Sequence, residues 1–385
     1  MKKNKQSWNR KERHLDRMKR HKKHSLRDSV ITLVLVIAAV AVYQLLPSGQ
    51  PGAAPVDTGA DEELSISLTG DMMLGRFVEN LDEEEAADTF AEAKPLFEET
   101  DLVTGNFENP VVNGDLENYE EDSLDKSVKL HTGPESVKKL KDAGFTNVNL
   151  ANNHLSDYGT NGVFDTLETF NEQELETVGA GINIDEAREV QYEEVNGLTV
   201  ATLGFNDAYM TEEREATTYQ EGVVPMKAEY FVPDIREAEA NADVVIVHAH
   251  WGEEYDNSVH PRQRELAHAM VEAGADVIAG HHPHVLQPIE VHDDAVIAYS
   301  LGNFVFDQGW SMTKETAVLQ YRLSEEEIKL EIHPMYIEEA QPRQVTNRYR
   351  QDKIYSQLTE EFIYGSSFTE EWDREDDKLT KTIER

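Results

Sequence analysis

The sequence predicts an α/β domain behind an N-terminal transmembrane helix, and three observations carry that reading. Short runs rich in Val, Ile, Leu and Thr alternate with helical patterns from Leu64 onward, as expected for strands covered by helices. The loops after those runs concentrate Asp, Asn, Glu and His. Ahead of them all, Val30 to Leu46 is a 17-residue run without a charge.

The N-terminus comes first. Residues 1–28 hold 12 Lys or Arg against 3 Asp or Glu, a basic cytoplasmic segment before an anchor at 29–46. Seventeen residues lie near the lower limit for crossing a hydrocarbon core of about 30 Å. A cleaved signal peptide shares the pattern, but its apolar region usually has about 7–15 residues; Pro47 to Gly52 supplies small residues and breakers compatible with cleavage. Lys and Arg resist translocation, so the expected topology is a single pass through the cell membrane, N-terminus cytoplasmic and domain extracellular. Residues 47–63 read as a linker, 64–342 as the domain, and 343–385 as an acidic, peripheral helical extension.

Beyond the basic segment, 24 basic residues face 72 acidic ones. That excess repels phosphate and argues against nucleic acid as a partner. It fits either the solvated surface of a halophilic or salt-tolerant protein or a surface that avoids a polyanionic product. There is no cysteine, which excludes thiolate ligands and Cys nucleophiles and suits an exported chain without disulfides.

Within the domain, strands are expected at Leu64–Thr69, Leu102–Gly105, Thr146–Leu150, Thr199–Gly204, Val244–His248, Val277–Ala279 and Val296–Tyr299, with a hairpin over Thr316–Glu338. Helices are expected at Ser136–Ala143, Gly162–Asn171, Val232–Asn241 and Arg262–Ala273, two of them stopped by Gly144 and Gly274. Five loops follow strands: Gly70–Arg76, Gly105–Glu108, Asn152–Asp157, His248–Gly252 and Gly280–His284. An Asp or Asn beside Gly is ordinary turn chemistry. Five such loops delivered to one edge of an α/β sheet are a candidate site, and their oxygen and imidazole donors suit Mn, Fe or Zn in a hydrolytic centre.

The order Gly-Asp, Gly-Asn-x-Glu, Asn-His, His, Gly-His-His-Pro-His resembles the calcineurin-like metallophosphoesterases over roughly Leu64 to Phe306. Six blocks in order resemble more closely the CapA/PgsA family of poly-γ-glutamate capsule synthesis: Gly70–Arg76, Gly105–Pro110, Asn152–Gly159, His250–Tyr255, Gly280–Gln287 and Ser300–Gln308. The resemblance implies a layered α/β/β/α sandwich, poly-γ-glutamate as the polymer handled, capsule synthetase membrane subunits as partners, and attachment to the cytoplasmic membrane. One or two divalent ions are expected, with Asp71, Asn106, Glu108, Asn153, His250, His282 and His284 as candidate ligands. His154 is the candidate general acid, and Arg76 is a candidate anion clamp or a structural ion-pair partner. His281, Asn303, Asp307 and Trp251 are candidates for places behind these groups, though Trp251 reads sooner as a core aromatic than as a pocket wall. Met73 stands where the phosphoesterase pattern has His, so one ligand of that pattern is missing. Three functions remain open: capsule assembly with or without catalysis, a metal-dependent hydrolase unrelated to capsule, and a non-catalytic polymer-binding module.

Overall fold

The computed structural model describes residues 62–79, 81, 88–208, 215–363, 366–369 and 371–385, with the isolated positions 11, 33 and 34. The expected basic segment and anchor lie outside the described residues apart from those positions. Glu62 and Glu63, assigned to the linker, already belong to the first strand. Among the described residues no helix is long and apolar enough to cross a membrane. The chain divides into two units, Pro51–Val345 with Arg350–Arg385, and Met1–Gln50 with Thr346–Tyr349; the first carries both sheets and the candidate site.

Two mixed sheets organise that unit, one of ten strands and one of six. In the first, strand Glu62–Met72 lies between Leu102–Phe107, which runs parallel to it, and Glu315–Ser324, which runs antiparallel. Parallel pairing continues through Asn147–Asn149 to Glu176–Val178. In the second, Leu198–Asn206, Val244–His250, Val277–His281 and Ala295–Leu301 are parallel. Antiparallel edges Gln191–Val195 and Leu286–His292 flank them. The inner parallel strand Val244–His250 is buried along its whole length, so its run Val-Val-Ile-Val lacks the polar alternation of a half-exposed strand.

Three apolar clusters define the layers. Leu64, Ile66 and Leu68 of the first sheet meet Ile246, Val277 and Val296 of the second, forming the core between the sheets. On the far face of the first sheet, Phe107 and Val148 pack on Val137 and Leu140 of helix Glu135–Ala143 and on Val163 and Phe170 of helix Gly159–Glu172. On the far face of the second, Val245, Val247 and Ile278 pack on Ile235 of helix Ala228–Glu239 and Met270 of helix Pro261–Ala273. The result is helix, sheet, sheet, helix. Gly144 and Gly274 end two of these helices in the left-handed conformation, as the sequence predicts.

The C-terminal segment is not peripheral. Ile354, Tyr355 and Leu358 of helix Arg348–Thr359 join the core between the sheets, each contributing roughly 1.5–3 kcal/mol by burial. Strand Lys378–Glu384 pairs with Glu327–Glu338 inside the large sheet. Only Leu379 and Ile383 of that strand enter the core, so its polar, charged composition hides it from a reading by hydrophobicity.

Candidate metal centre

Strand register assembles the site. In the first sheet Asp71 pairs with Asn106 on one side and Asn303 on the other, and Asn106 pairs with Asn149. In the second, Asn206 pairs with His250, and His250 with His281. Each sheet therefore carries a row of polar residues at the C-terminal ends of its parallel strands, the edge where α/β folds place their sites. The loop after Val277–His281 then brings His282 and His284 against the first row.

The donors converge. Asp71, Glu108 and His284 form one group, and Glu108, His250 and His282 another, the chosen donor atoms within each lying within 4.8 Å of one another. Glu108 belongs to both. His284 bridges the carboxylates, with Nδ1 3.4 Å from Asp71 Oδ2 and Nε2 3.5 Å from Glu108 Oε1. His250 Nε2 lies 3.1 Å from Asn153 Oδ1 and 3.9 Å from Glu108 Oε1. His282 and His284 hold φ of 94° and 57°, strained for residues with a side chain and fixed here around Pro283. The His282 backbone N–H donates to Asp71 Oδ2 over 3.1 Å.

These residues fit a divalent ion. Both oxygens of Glu108 and Nδ1 of His282 are buried without a hydrogen-bond partner, a costly arrangement unless another group satisfies them. Two carboxylates and three imidazoles are the donor set that first-row divalent metals accept. Electrostatics agree. Burial and the negative charge of Asp71 push the Glu108 carboxyl well above its ordinary range. Burial also opposes charge on Asp71, but the hydrogen bond from His284 and the charges of His281 and His284 bring it below the ordinary value. His284 rises to about 10 because Glu108 and Asp71 outweigh its burial. His282 falls to about 3 through burial and the charge on His284, and burial depresses His250 well below its usual value. Metal-free, the site holds one proton-hungry histidine between two acids and two histidines kept neutral.

Other predicted residues take supporting places. Asn106 donates to Asp71 Oδ1 over 2.8 Å while its own Oδ1 accepts from Asn149 and Asn152; both ends are engaged, so it positions Asp71. His154 Nδ1 donates to Asp157 Oδ2 over 2.7 Å. Burial outweighs the Asp157 carboxylate and lowers the His154 value, so the resting ring is neutral with Nε2 as its remaining nitrogen. Asn303 Oδ1 accepts from His284 Nδ1 over 2.9 Å. The Arg76 guanidinium is gripped at two nitrogens by Asp307, so the fork expected to clamp an anion is filled from within the chain. His281 Nδ1 lies 3.5 Å from Asp71 Oδ1, and its Nε2 meets His248 Nδ1 at 2.9 Å.

The structure settles the two readings of Trp251 in favour of the core and leaves no place for it behind the ligands. Alternation along a strand turns His248 and His250 one way and Ala249 and Trp251 the other. The indole packs in the outer core, stacked on Tyr299 and donating to its carbonyl over 2.9 Å, while its backbone N–H donates to the His281 carbonyl. Met73 likewise lies fully buried in the core of the first sheet.

Four contributors were missed. Glu254 groups with His282 and His284, and its place inside the block His250–Tyr255 was the available signal. Asn152 ties Asn106 to the Phe107 carbonyl. Lys126 donates to Asp157 Oδ1 over 2.6 Å and to the Asn153 carbonyl over 2.9 Å. His248 extends the chain to Thr104 Oγ1 at 2.9 Å. Lys126 lies in an irregular acidic stretch that no sequence pattern marks.

Residues 65–308 match the sequence profile described as "Bacterial capsule synthesis protein PGA_cap". The chain is 45% identical over 358 residues to the PGA biosynthesis protein CapA of Bacillus subtilis, covering 92% of this chain and 91% of that protein. It is 42% identical over 368 residues to the capsule biosynthesis protein CapA of Bacillus anthracis, covering 94% and 88%. Among solved structures it is similar to the NAD nucleotidase of Haemophilus influenzae, at 13% identity and a TM-score of 0.41, over 76% of this chain and 55% of that one; the chain thus spans about half the nucleotidase's length.

Proposed function

This chain belongs to the bacterial capsule synthesis protein family PGA_cap, and from that premise we propose that it is a membrane-anchored, extracytoplasmic subunit of poly-γ-glutamate synthesis and export. Its calcineurin-like centre holds one or two divalent ions, Mn, Fe or Zn, and handles the nascent polymer. One observation supports the centre above all others: two overlapping donor groups share Glu108, whose buried oxygens have no hydrogen-bond partner. The anchor is supported by the 17-residue apolar run behind 12 basic residues.

Asp71, Glu108, His250, His282 and His284 would hold the ions, with Asn153 beside His250. A bound divalent ion supplies Lewis-acid polarisation and activates water. The protein's own residues set the rest. Asn106 and the His282 N–H fix the Asp71 carboxylate, and Asn303 fixes the His284 ring. Asp157, itself held by Lys126, orients His154 so that the Nε2 lone pair is left to take a proton from attacking water and hand it to the leaving group. Capsule synthetase subunits in the membrane are the partners this reading requires.

The test uses cells in which this chain is the only member of its family. Glu108→Gln and His282→Ala are expected to abolish polymer production and to lower metal content of the purified full-length protein. Normal polymer yield from metal-depleted variants would remove the metal centre from the function and leave an assembly or polymer-binding role.

A further inference from the structure

A second cluster of ligating side chains lies away from this centre. His268 comes from helix Pro261–Ala273, and Glu290 and His292 from edge strand Leu286–His292. Glu290 and His292 are two residues apart, so the strand presents both on one face. His292 is at the end of that strand remote from His284, about 20 Å along it.

The cluster has the features of a chelate. One donor from each of His268, Glu290 and His292 falls within 4.8 Å of the others. Glu290 is held from behind: its Oε2 accepts from the Tyr299 hydroxyl over 2.6 Å and from Arg264 Nη1 over 3.1 Å. That leaves Oε1 turned to His268 Nε2 at 3.2 Å, the anchored-carboxylate arrangement that steadies metal ligands. The two imidazoles stack with centroids 3.8 Å apart and planes 2° apart. Each ring, when neutral, has one nitrogen lone pair to give. Parallel rings aim those lone pairs past one another, and one ring must turn to close on an ion. Both side chains have room, at 29% and 31% exposure.

We propose that His268, Glu290 and His292 form a second metal site, which takes one imidazole-preferring divalent ion such as Zn2+ or Ni2+ and clamps helix Pro261–Ala273 to the edge of the six-stranded sheet. The site is independent of the proposed capsule chemistry. An ion that binds the folded state alone raises its stability by mass action, so the clamp reads out in melting as well as in metal content.

The experiment takes the full-length chain, stripped with EDTA and dialysed against Zn2+ alone, and counts bound equivalents. The His268→Ala/His292→Ala pair is expected to bind one equivalent fewer than wild type, and the His250→Ala/His282→Ala pair to keep that equivalent. Added Ni2+ should raise the melting temperature of the second pair, and adding His268→Ala and His292→Ala to that pair should abolish the rise. Should the first pair melt below wild type in EDTA, His292→Gln, which keeps the bulk of the side chain, is scored by the same two readouts. Equal Zn2+ equivalents in wild type and the His268/His292 variants, or an unchanged Ni2+ response, would overturn the proposal and reduce the cluster to an ion-paired surface.

Discussion

Asn106 and Asp71 face each other across two parallel strands, and the Asn106 amide donates to the Asp71 carboxylate over 2.8 Å. The same amide oxygen gathers Asn149 and Asn152, so one side chain ties three strand ends to a candidate ligand. Asn106→Ala is expected to weaken metal retention about 10–100-fold, as loss of an outer partner does elsewhere. It should also destabilise the fold by about 1–3 kcal/mol, since the two asparagines lose their acceptor. Chelator competition and urea melts measure both; unchanged retention would mean that Asp71 is no ligand.

Glu108→Gln should act with opposite signs in two conditions. Burial and Asp71 disfavour its charge, so the neutral isostere is expected to raise the melting temperature of EDTA-treated protein. With metal present the same change is expected to lower it relative to wild type. A loss of stability in both conditions would contradict the assignment of Glu108 as a shared ligand.

The metal-free protein should be acid-sensitive. His282 and His281 fall to about 3 and about 4, and His248 and His250 are also depressed. These groups bind protons when unfolded and resist them when folded, so stability is lost as pH drops below about 6.5, by roughly 2 kcal/mol each for His281 and His282 at pH 5. His284, raised to about 10, has the reverse sign and contributes stability that disappears between about pH 6.5 and 10. Burial lowers His154 too and raises Glu108, so five buried histidines stand against His284 and Glu108, and melting in EDTA is expected to fall from pH 7 to pH 5. A flat profile would show that the buried histidines are solvated.

External exposure of the domain is tested in protoplasts. Protease added from outside is expected to digest it, because the basic residues stand before the apolar run. Protection until lysis would place the domain in the cytoplasm.

The acidic surface gives a salt prediction. With 72 acidic and 24 basic residues after the basic segment, screening by KCl relieves self-repulsion and the melting temperature should rise. A falling curve would leave the salt-tolerant reading without support.

Much of this was legible in the sequence, for reasons that can be named. Val244–His250 and Val277–His281 announced themselves because parallel buried strands are continuous apolar runs, and Gly144 and Gly274 marked helix ends through their φ. Asp71 and His250 lie at the ends of strands, and Glu108, His282 and His284 stand in the loops just beyond. Lys378–Glu384 escaped because its partner strand, not its own composition, makes it a strand. Trp251 kept two readings because the parity of one strand decides which side chain faces the site. The filling of Arg76 by Asp307 depends on two loops far apart in sequence, which spacing alone does not bring together.

The centre draws Asp71 and Glu108 from one sheet and His250, His282 and His284 from the other. Both donor groups that contain Glu108 take atoms from each slab. An ion seated there would therefore act as a rivet across the sandwich, and sliding of one slab by a single residue would shear the donors apart. Tight packing of Ile66 and Leu68 against Ile246 and Val296 thus has a mechanical duty besides burial: it is the alignment key for the two halves of the chemistry. Shaving one of these side chains to Ala, though remote from every donor atom, would loosen the grip on metal before it melted the domain.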